Sequence, residues 1–217
     1  MNHVVVIRFH YPENDLRFKW RFEYFRKEVL PRLIQQTDQN FDIAIWCESW
    51  HKKLFEDLSN KIIVFDIKPE KKGYIRYSDR KRAKSYGGKF FIDFTQWENV
   101  IGLEKYDIQT ALDSDDLVSK DYIARIKKEC SRVDSSLHIT FQPKKLFVDK
   151  GIEKTHNVIY NTMKGSMFYS IYQPDKSNYL FVYHDSHLVI GKYMKKSIYI
   201  PECYCWQSIH KYNESTE

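Results

Sequence analysis

The chain has few glycines and cysteines and no long apolar run, which excludes several kinds of site. It has 7 glycines in 217 residues, and the segment after the first apolar run, His10-Tyr11-Pro12-Glu13-Asn14, is not a glycine-rich phosphate loop. Its 4 cysteines lack the paired spacing of a zinc site, so we expect them to pack as small apolar residues. No apolar run approaches the roughly 18 residues that a membrane span needs, and the first residues show no signal-peptide pattern. We therefore expect a soluble, cytoplasmic protein.

The positive charge of the chain is mild. The formal net charge is +6, and a dense basic segment at residues 76–84 contains Arg76 and Arg80. A basic surface suits ligands that carry phosphate, including nucleotide sugars, nucleic acid and anionic membranes. A generally lysine-rich surface explains the same composition equally well. Charge alone therefore leaves the ligand class open.

The order of the predicted elements indicates an α/β fold. Apolar runs that predict buried strands lie at 4–9, 42–47, 61–67 and 108–112. Segments with helical spacing alternate with them, at 18–36 (with Pro31 as an interruption or kink), 50–58, 90–101 and 119–130. This alternation predicts a mostly parallel central sheet with helices on both faces. The second half changes to a mixed pattern, with short strands and turns expected at 138–141, 151–160, 166–172, 179–183 and 197–200.

A cluster of carboxylates, Asp113-Ser114-Asp115-Asp116, directly follows the fourth predicted strand. In open α/β sheets, ligands bind at the carboxyl ends of the strands. Crowded carboxylates repel one another unless a cation lies among them, and Mg²⁺ and Mn²⁺ take such oxygen ligands together with substrate phosphates. The alternative is a solvated turn that caps a helix, because Asp favours the positive end of a helix.

These features together resemble the GT-A glycosyltransferases, and more closely the putative rhamnosyltransferase family of bacteria. The segments that carry the closer resemblance are Arg17-Phe18, Arg21, Leu30-Pro31, Gln35-Gln36-Thr37, Asn40-Phe41-Asp42-Ile43, Leu112 to Asp116, Ile209-His210 and Asn213. The resemblance implies a GT-A (Rossmann-like) fold in one domain of residues 1–217. Residues 1–118 would bind the nucleotide sugar, and residues 119–217 would form the acceptor side. The chain is shorter than the family leads us to expect.

The resemblance also implies roles for the carboxylate cluster and the end of the chain. Asp115 would be the principal ligand of Mn²⁺ or Mg²⁺, and Asp113 would hold the ribose or assist the metal. Asp116 would orient either of them or a sugar hydroxyl. His210 would ligate the metal or the phosphates of a nucleoside-diphosphate sugar. A metal in this place would stabilise the charge that develops on the leaving diphosphate.

Other residues are candidates for binding the nucleotide. Tyr11 follows the first strand and could stack on the base or simply pack in its loop. Glu48 follows the second strand, near where many relatives have Asp, and could accept a hydrogen bond from base or ribose. Arg76 or Arg80 could reach the diphosphate, because the guanidinium fork matches phosphate oxygens, although a solvated position is the competing interpretation.

A second polar group follows the predicted strand at 179–183. Asp185 is a candidate general base for the acceptor hydroxyl, and His184 or His187 could do the same work or complete a metal shell. A surface turn is the structural alternative. The expected activity is a metal-dependent and inverting transfer to a glycan, lipid-linked sugar, protein or modified base. The alternatives are a nucleotidyltransferase-like enzyme and a basic nucleic-acid-binding module, the latter not favoured because acidic residues interrupt the basic ones.

Overall fold

A computed structural model describes residues 1–9, 11, 15–66, 102–149, 152–157, 168–176, 180, 182, 190–202 and 204–209. Its strands are β1 His3–Phe9, β2 Asp42–Cys47, β3 Ile62–Asp66, β4 Ile108–Asp113, β5 Leu117–Val118, β6 Leu137–Phe141, β7 Lys144–Asp149, β8 Ile152–Asn157, β9 Tyr169–Tyr172, β10 Lys196–Ile200 and β11 Cys205–Ile209. Its α-helices are α1 Leu16–Tyr24, α2 Leu30–Ile34, α3 Ser49–Glu56 and α4 Tyr122–Cys130. The predicted helix at 90–101 lies outside the described residues.

The main sheet has seven strands in the order β10-β6-β9-β4-β1-β2-β3. β1 pairs in parallel with both β2 and β4, β2 with β3, and β6 with β10. β9 alone among these strands runs antiparallel to its neighbours, β4 and β6. The predicted α/β class and mostly parallel central sheet are therefore confirmed.

Both faces of the sheet are covered. Val5, Ile7 and Phe9 of β1 belong to a core cluster that includes buried residues of all four α-helices or their junctions. Val4 and Val6 point to the opposite face, into a second cluster with Leu103, Tyr106 and a 3₁₀ turn at Ile190–Tyr193. A strand buried on both faces needs apolar residues at successive positions, which explains the continuous apolar run of β1.

The first predicted helix is found as α1 and α2 joined by a π-helical segment, Phe25–Val29. It begins at Leu16 because the side chain of Asp15 accepts a hydrogen bond from the backbone N–H of Arg17. The π segment lies directly before Pro31 in the chain. Proline lacks an N–H and crowds the carbonyl four residues earlier, so the widened turn accommodates it.

A second sheet has the order β5-β11-β7-β8. Its central pair, β7 and β11, is parallel, and neither strand was predicted. The strand predicted at 179–183 is wrong where the structure describes it, because Leu180 and Val182 are not in a strand. Side-chain amides replace strand neighbours there: Gln173 bonds both backbone groups of Leu180, and Gln109 accepts from the N–H of Val182.

In the described part of the chain, no helix is long and apolar enough to cross a membrane. Cys47, Cys130 and Cys205 are buried, which agrees with the expected packing role.

Candidate active site

The carboxylate turn, Asp113 to Asp116, leaves the sheet at the carboxyl end of β4. Asp113 is the last residue of β4, and the N–H of Asp116 donates to its carbonyl oxygen at 3.1 Å. β4 is parallel to β1 with Asp113 opposite Arg8, and the end of β1 lies opposite the end of β2. The carboxyl ends of three adjacent parallel strands therefore meet beside the turn, which is the usual ligand-binding edge of such sheets.

Two arginines contact the carboxylate turn from different elements. Arg8 of β1 lies 3.4 Å from Asp113, with both side chains about one-third exposed. Arg21 of α1 donates to Asp115 Oδ1 at 2.9 Å and to Ser114 Oγ at 3.2 Å. The side chains of Arg21 and Asp115 are only 12% and 4% exposed, so this second ion pair is shielded from water. The turn is thus held by positive charge from both the sheet and the helix layer.

Asp116 is the most perturbed carboxylate of the turn. Burial raises its pKa well above the ordinary value of 3.8, and the neighbouring charges of Asp115 and Asp113 raise it further. The backbone N–H of Ser208 in β11 donates to Asp116 Oδ1 at 3.2 Å and acts in the opposite direction, as does Arg21. Asp113 and Asp115 therefore lie close enough to oppose the ionisation of Asp116.

Tyr11 and Glu48 lie together at the same edge of the sheet. Glu48 Oε2 accepts from the backbone N–H of Tyr11 at 3.2 Å, and Trp50 Nε1 donates to the carbonyl of Tyr11 at 3.3 Å. The Tyr11 ring is 8% exposed, with the guanidinium carbons of Arg17 and Arg21 each 5.9 Å from its centroid. The packed role of Tyr11 is the one that this geometry favours, and Arg21 links Tyr11 to the carboxylate turn.

The remaining predicted site residues, Arg76, Arg80, His184, Asp185, His187 and His210, lie outside the described residues. Ser208, two positions before His210 in the sequence, nevertheless contacts Asp116 of the turn. β11 therefore delivers the end of the described chain to the carboxylate turn.

Over the described ranges, no group of three or more His, Cys, Asp or Glu side chains is arranged to hold a metal ion. The donor chemistry still fits a hard divalent cation that shares its ligands with a substrate, because Mg²⁺ sites commonly use one or two carboxylates, waters and phosphate oxygens. Asp113 and Asp115 offer carboxylate oxygens of this kind at an edge where phosphates would lie.

Sequence reasoning gave no role to three residues that shape the site. Arg8 had a visible signal, because it is a charged residue within an otherwise apolar strand. Arg21 appeared in the family resemblance, without a contact assigned to it. Ser208 had no signal, since its contribution is a backbone N–H placed by β11.

Comparison with known proteins agrees with the fold. A family described as "Putative rhamnosyl transferase" matches residues 97–217, more than half of the chain, including the carboxylate turn. No curated protein matches. The structure is similar to that of residues 1–349 of S. aureus TarS in complex with UDP-GlcNAc, with 12% identity, a TM-score of 0.58 and coverage of 97% of this chain and 59% of that one.

Other structures of TarS agree with this comparison. The same TarS segment in complex with UDP is 12% identical with a TM-score of 0.54, covering 96% of this chain and 61% of that one. The chain thus spans about three-fifths of TarS residues 1–349 and 37% of a longer TarS chain that it also matches. The fold is that of a GT-A-like glycosyltransferase. The chain belongs to the putative rhamnosyl transferase family.

Proposed function

We propose that this protein transfers a sugar from a nucleoside-diphosphate sugar to an acceptor hydroxyl, with the carboxylate turn at the centre of the site. The observation that carries the proposal is the position of Asp113, Asp115 and Asp116 at the carboxyl end of β4, beside the ends of β1 and β2. The raised pKa of the buried Asp116 makes its ionisation costly to folding, which is typical of a site kept for function. The TarS structures with UDP-GlcNAc and UDP support a nucleotide-sugar donor.

In this proposal, the first half of the chain, residues 1–118, binds the donor. Glu48, which is buried and fixes the backbone of Tyr11, would orient the base or ribose over β1 and β2. Arg76 or Arg80 would bind the diphosphate. Tyr11 would contribute by packing against Arg21, in keeping with its low exposure.

Mn²⁺ or Mg²⁺ would be held by Asp115 and Asp113, with His210 as a further ligand to the metal or the diphosphate. Bound there, the cation would supply Lewis-acid stabilisation for the leaving diphosphate. Asp115 would bind through a carboxylate whose orientation Arg21 already fixes, and Asp116 would hold its neighbours in place through β11.

The second half of the chain, residues 119–217, would bind the acceptor. Asp185 would accept the proton of the acceptor hydroxyl while that oxygen attacks the anomeric carbon from the face opposite the leaving group, giving inversion. His184 and His187 are the alternative bases. The acceptor would be a glycan, lipid-linked sugar, protein or modified base.

The proposal is tested by thermal shift with a panel of nucleoside diphosphates, nucleoside triphosphates and single-stranded DNA, each with Mn²⁺ or EDTA. We expect one diphosphate to raise the melting temperature only when Mn²⁺ is present, because anionic carboxylates and phosphates repel without a cation. The matched control is Asp115→Asn, which should abolish the shift. Stabilisation by triphosphates alone would favour a nucleotidyltransferase, and stabilisation by DNA alone would favour a nucleic-acid-binding module.

A further inference from the structure

Arg21 connects the helix layer to the carboxylate turn. Its Nη1 atom donates to Asp115 Oδ1 at 2.9 Å and to Ser114 Oγ at 3.2 Å. The ion pair is nearly buried, with side-chain exposures of 12% for Arg21 and 4% for Asp115. A charge-assisted contact of this length in a shielded place fixes the orientation of a carboxylate far better than a surface ion pair does.

The helix that carries Arg21 is itself firmly attached to the sheet. Phe18, one turn earlier in α1, is buried and stacks on the His51 ring of α3 with centroids 3.4 Å apart. It also contacts Phe9 at the end of β1 with centroids 6.3 Å apart. α1 therefore cannot shift relative to β1 without breaking these aromatic contacts, and Arg21 is presented to the turn from a fixed base.

The charge balance of the site gives Arg21 a second task. Asp113, Asp115 and Asp116 bring three carboxylates into four positions, and Arg8 and Arg21 are the cations that the described structure pairs with them. Arg8 is the more exposed and more distant of the two, so water screens its pair more strongly. Arg21 therefore gives the more shielded compensation of the two, and loss of one partner of a shielded ion pair is strongly destabilising.

We propose that Arg21 is a positioning residue that orients Asp115 and serves as the permanent counter-charge of the carboxylate turn when no divalent cation is bound. This inference rests on the proposed metal-dependent function. It predicts that a divalent cation can partly replace the Arg21 guanidinium, since both would compensate the same negative charge.

The test compares Arg21→Met with wild type by thermal unfolding in EDTA, in MnCl2 alone, and in MnCl2 with UDP. In EDTA we expect Arg21→Met to lower the melting temperature by about 6–20 °C, as for loss of one partner of a buried ion pair in a chain of this size. Mn²⁺ should recover at least half of that loss, beyond any shift that it gives to wild type. Arg26→Met is the matched control, because Arg26 lies on the next turn in an exposed ion pair with Glu23; its melting temperature should change little.

A merely structural arginine would give a different result. If Arg21→Met is destabilised and Mn²⁺ recovers nothing beyond the wild-type shift, or if Arg21→Met is as stable as wild type in EDTA, the inference is overturned. Failure of the proposed function is separate, since wild type would then show no Mn²⁺-dependent shift with any nucleoside diphosphate of the panel. Arg21→Lys keeps the test decisive if Arg21→Met does not fold. Because lysine keeps the positive charge, it should preserve in EDTA more than half of the stabilisation that Arg21 gives. A loss of stability that Mn²⁺ does not recover would contradict the counter-charge role.

Discussion

A buried histidine away from the carboxylate turn should make the fold sensitive to mild acid. His138 of β6 is 5% exposed, and its ring lies 5.9 Å from that of Tyr169. Its Nε2 has no hydrogen-bond partner within the described part of the chain, and a Cβ at Gly191 would come within 2.6 Å of its Nδ1. Burial lowers the pKa of His138 from 6.5 to about 4, so the ring is neutral in the folded protein at pH 5 while the unfolded chain binds a proton.

The size of the effect follows from proton linkage. The folded pKa is depressed, so the stability that neutral His138 contributes is complete above pH 6.5 and is lost as the pH falls through the window from 6.5 to about 4. pH 5 lies 1.5 units below the pKa of the histidine in the unfolded chain. Proton binding therefore stabilises the unfolded state, and lowers the free energy of unfolding, by about 2 kcal/mol at 1.36 kcal/mol per unit. The result hardly depends on how far below pH 5 the folded pKa lies.

The perturbation is His138→Leu, which removes the titrating ring while roughly keeping its volume. Urea unfolding of both proteins at pH 7 and pH 5 gives the difference in stability between the two pH values. We expect this difference to be about 2 kcal/mol smaller in His138→Leu than in wild type. Any packing change contributes at both pH values and cancels.

The matched control is Ile139→Val in the same strand. Ile139 is fully buried and does not titrate, so its loss of about 1 kcal/mol should be the same at both pH values. An unchanged pH difference in His138→Leu would show that the folded protein accommodates a charged His138, and would refute the argument from burial.

Three further predictions concern the candidate site. Asp115→Asn should lower the turnover number about 100-fold or more at saturating donor. Its melting temperature should stay within a few degrees of wild type, because the amide oxygen can still accept from Arg21 and the repulsion of Asp116 by Asp115 is relieved. The exposed Asp57→Asn is the control, and near-normal turnover would remove Asp115 from the mechanism. Asp116→Asn should stabilise the metal-free protein at pH 7, and this gain in stability should be lost towards pH 4. The reason is that the raised pKa of Asp116 makes its ionisation costly only as the pH rises above the unfolded value of 3.8. Equal gains at both pH values, measured by urea unfolding in EDTA, would contradict this cause. His210→Ala should weaken, by about 1–3 kcal/mol if one hydrogen bond to a charged group is removed, the calorimetric binding with Mn²⁺ of the nucleoside diphosphate that stabilises wild type, and an unchanged affinity would exclude contact with the ligand.

The strands of the main sheet could be predicted because their signal is local. β2 spans the predicted residues 42–47, β1 begins one residue earlier than predicted, β3 begins one residue later and β4 ends one residue later. β1, β2 and β4 are buried on both faces at nearly every position, so apolar residues at successive positions are required. In the second sheet, β8 lies within the region predicted at 151–160, but its central pair gave no such signal. β7 and β11 contain lysine, glutamine and serine, and each is a strand because the other lies beside it, which residues near in sequence do not record.

The same distinction, between local signals and contacts set by tertiary packing, applies to the candidate site. The carboxylates were predicted because like charges next to each other are unfavourable in any turn, whatever surrounds them. Their partners depend on how α1 lies across the sheet. Arg17 and Arg21 are one turn apart and both lie 5.9 Å from the Tyr11 ring, yet Arg17 bonds Asp15 at the start of its own helix and Arg21 bonds Asp115. The helical pattern predicts that the two arginines share a face.

The docking of Phe18 against Phe9 and His51 sets where that face meets the sheet, and a rotation of α1 by one residue would bring a different side chain towards Asp115. The electrostatics of the site are therefore decided by an aromatic contact in the core, and a substitution at Phe18 should disturb the carboxylate turn without touching it.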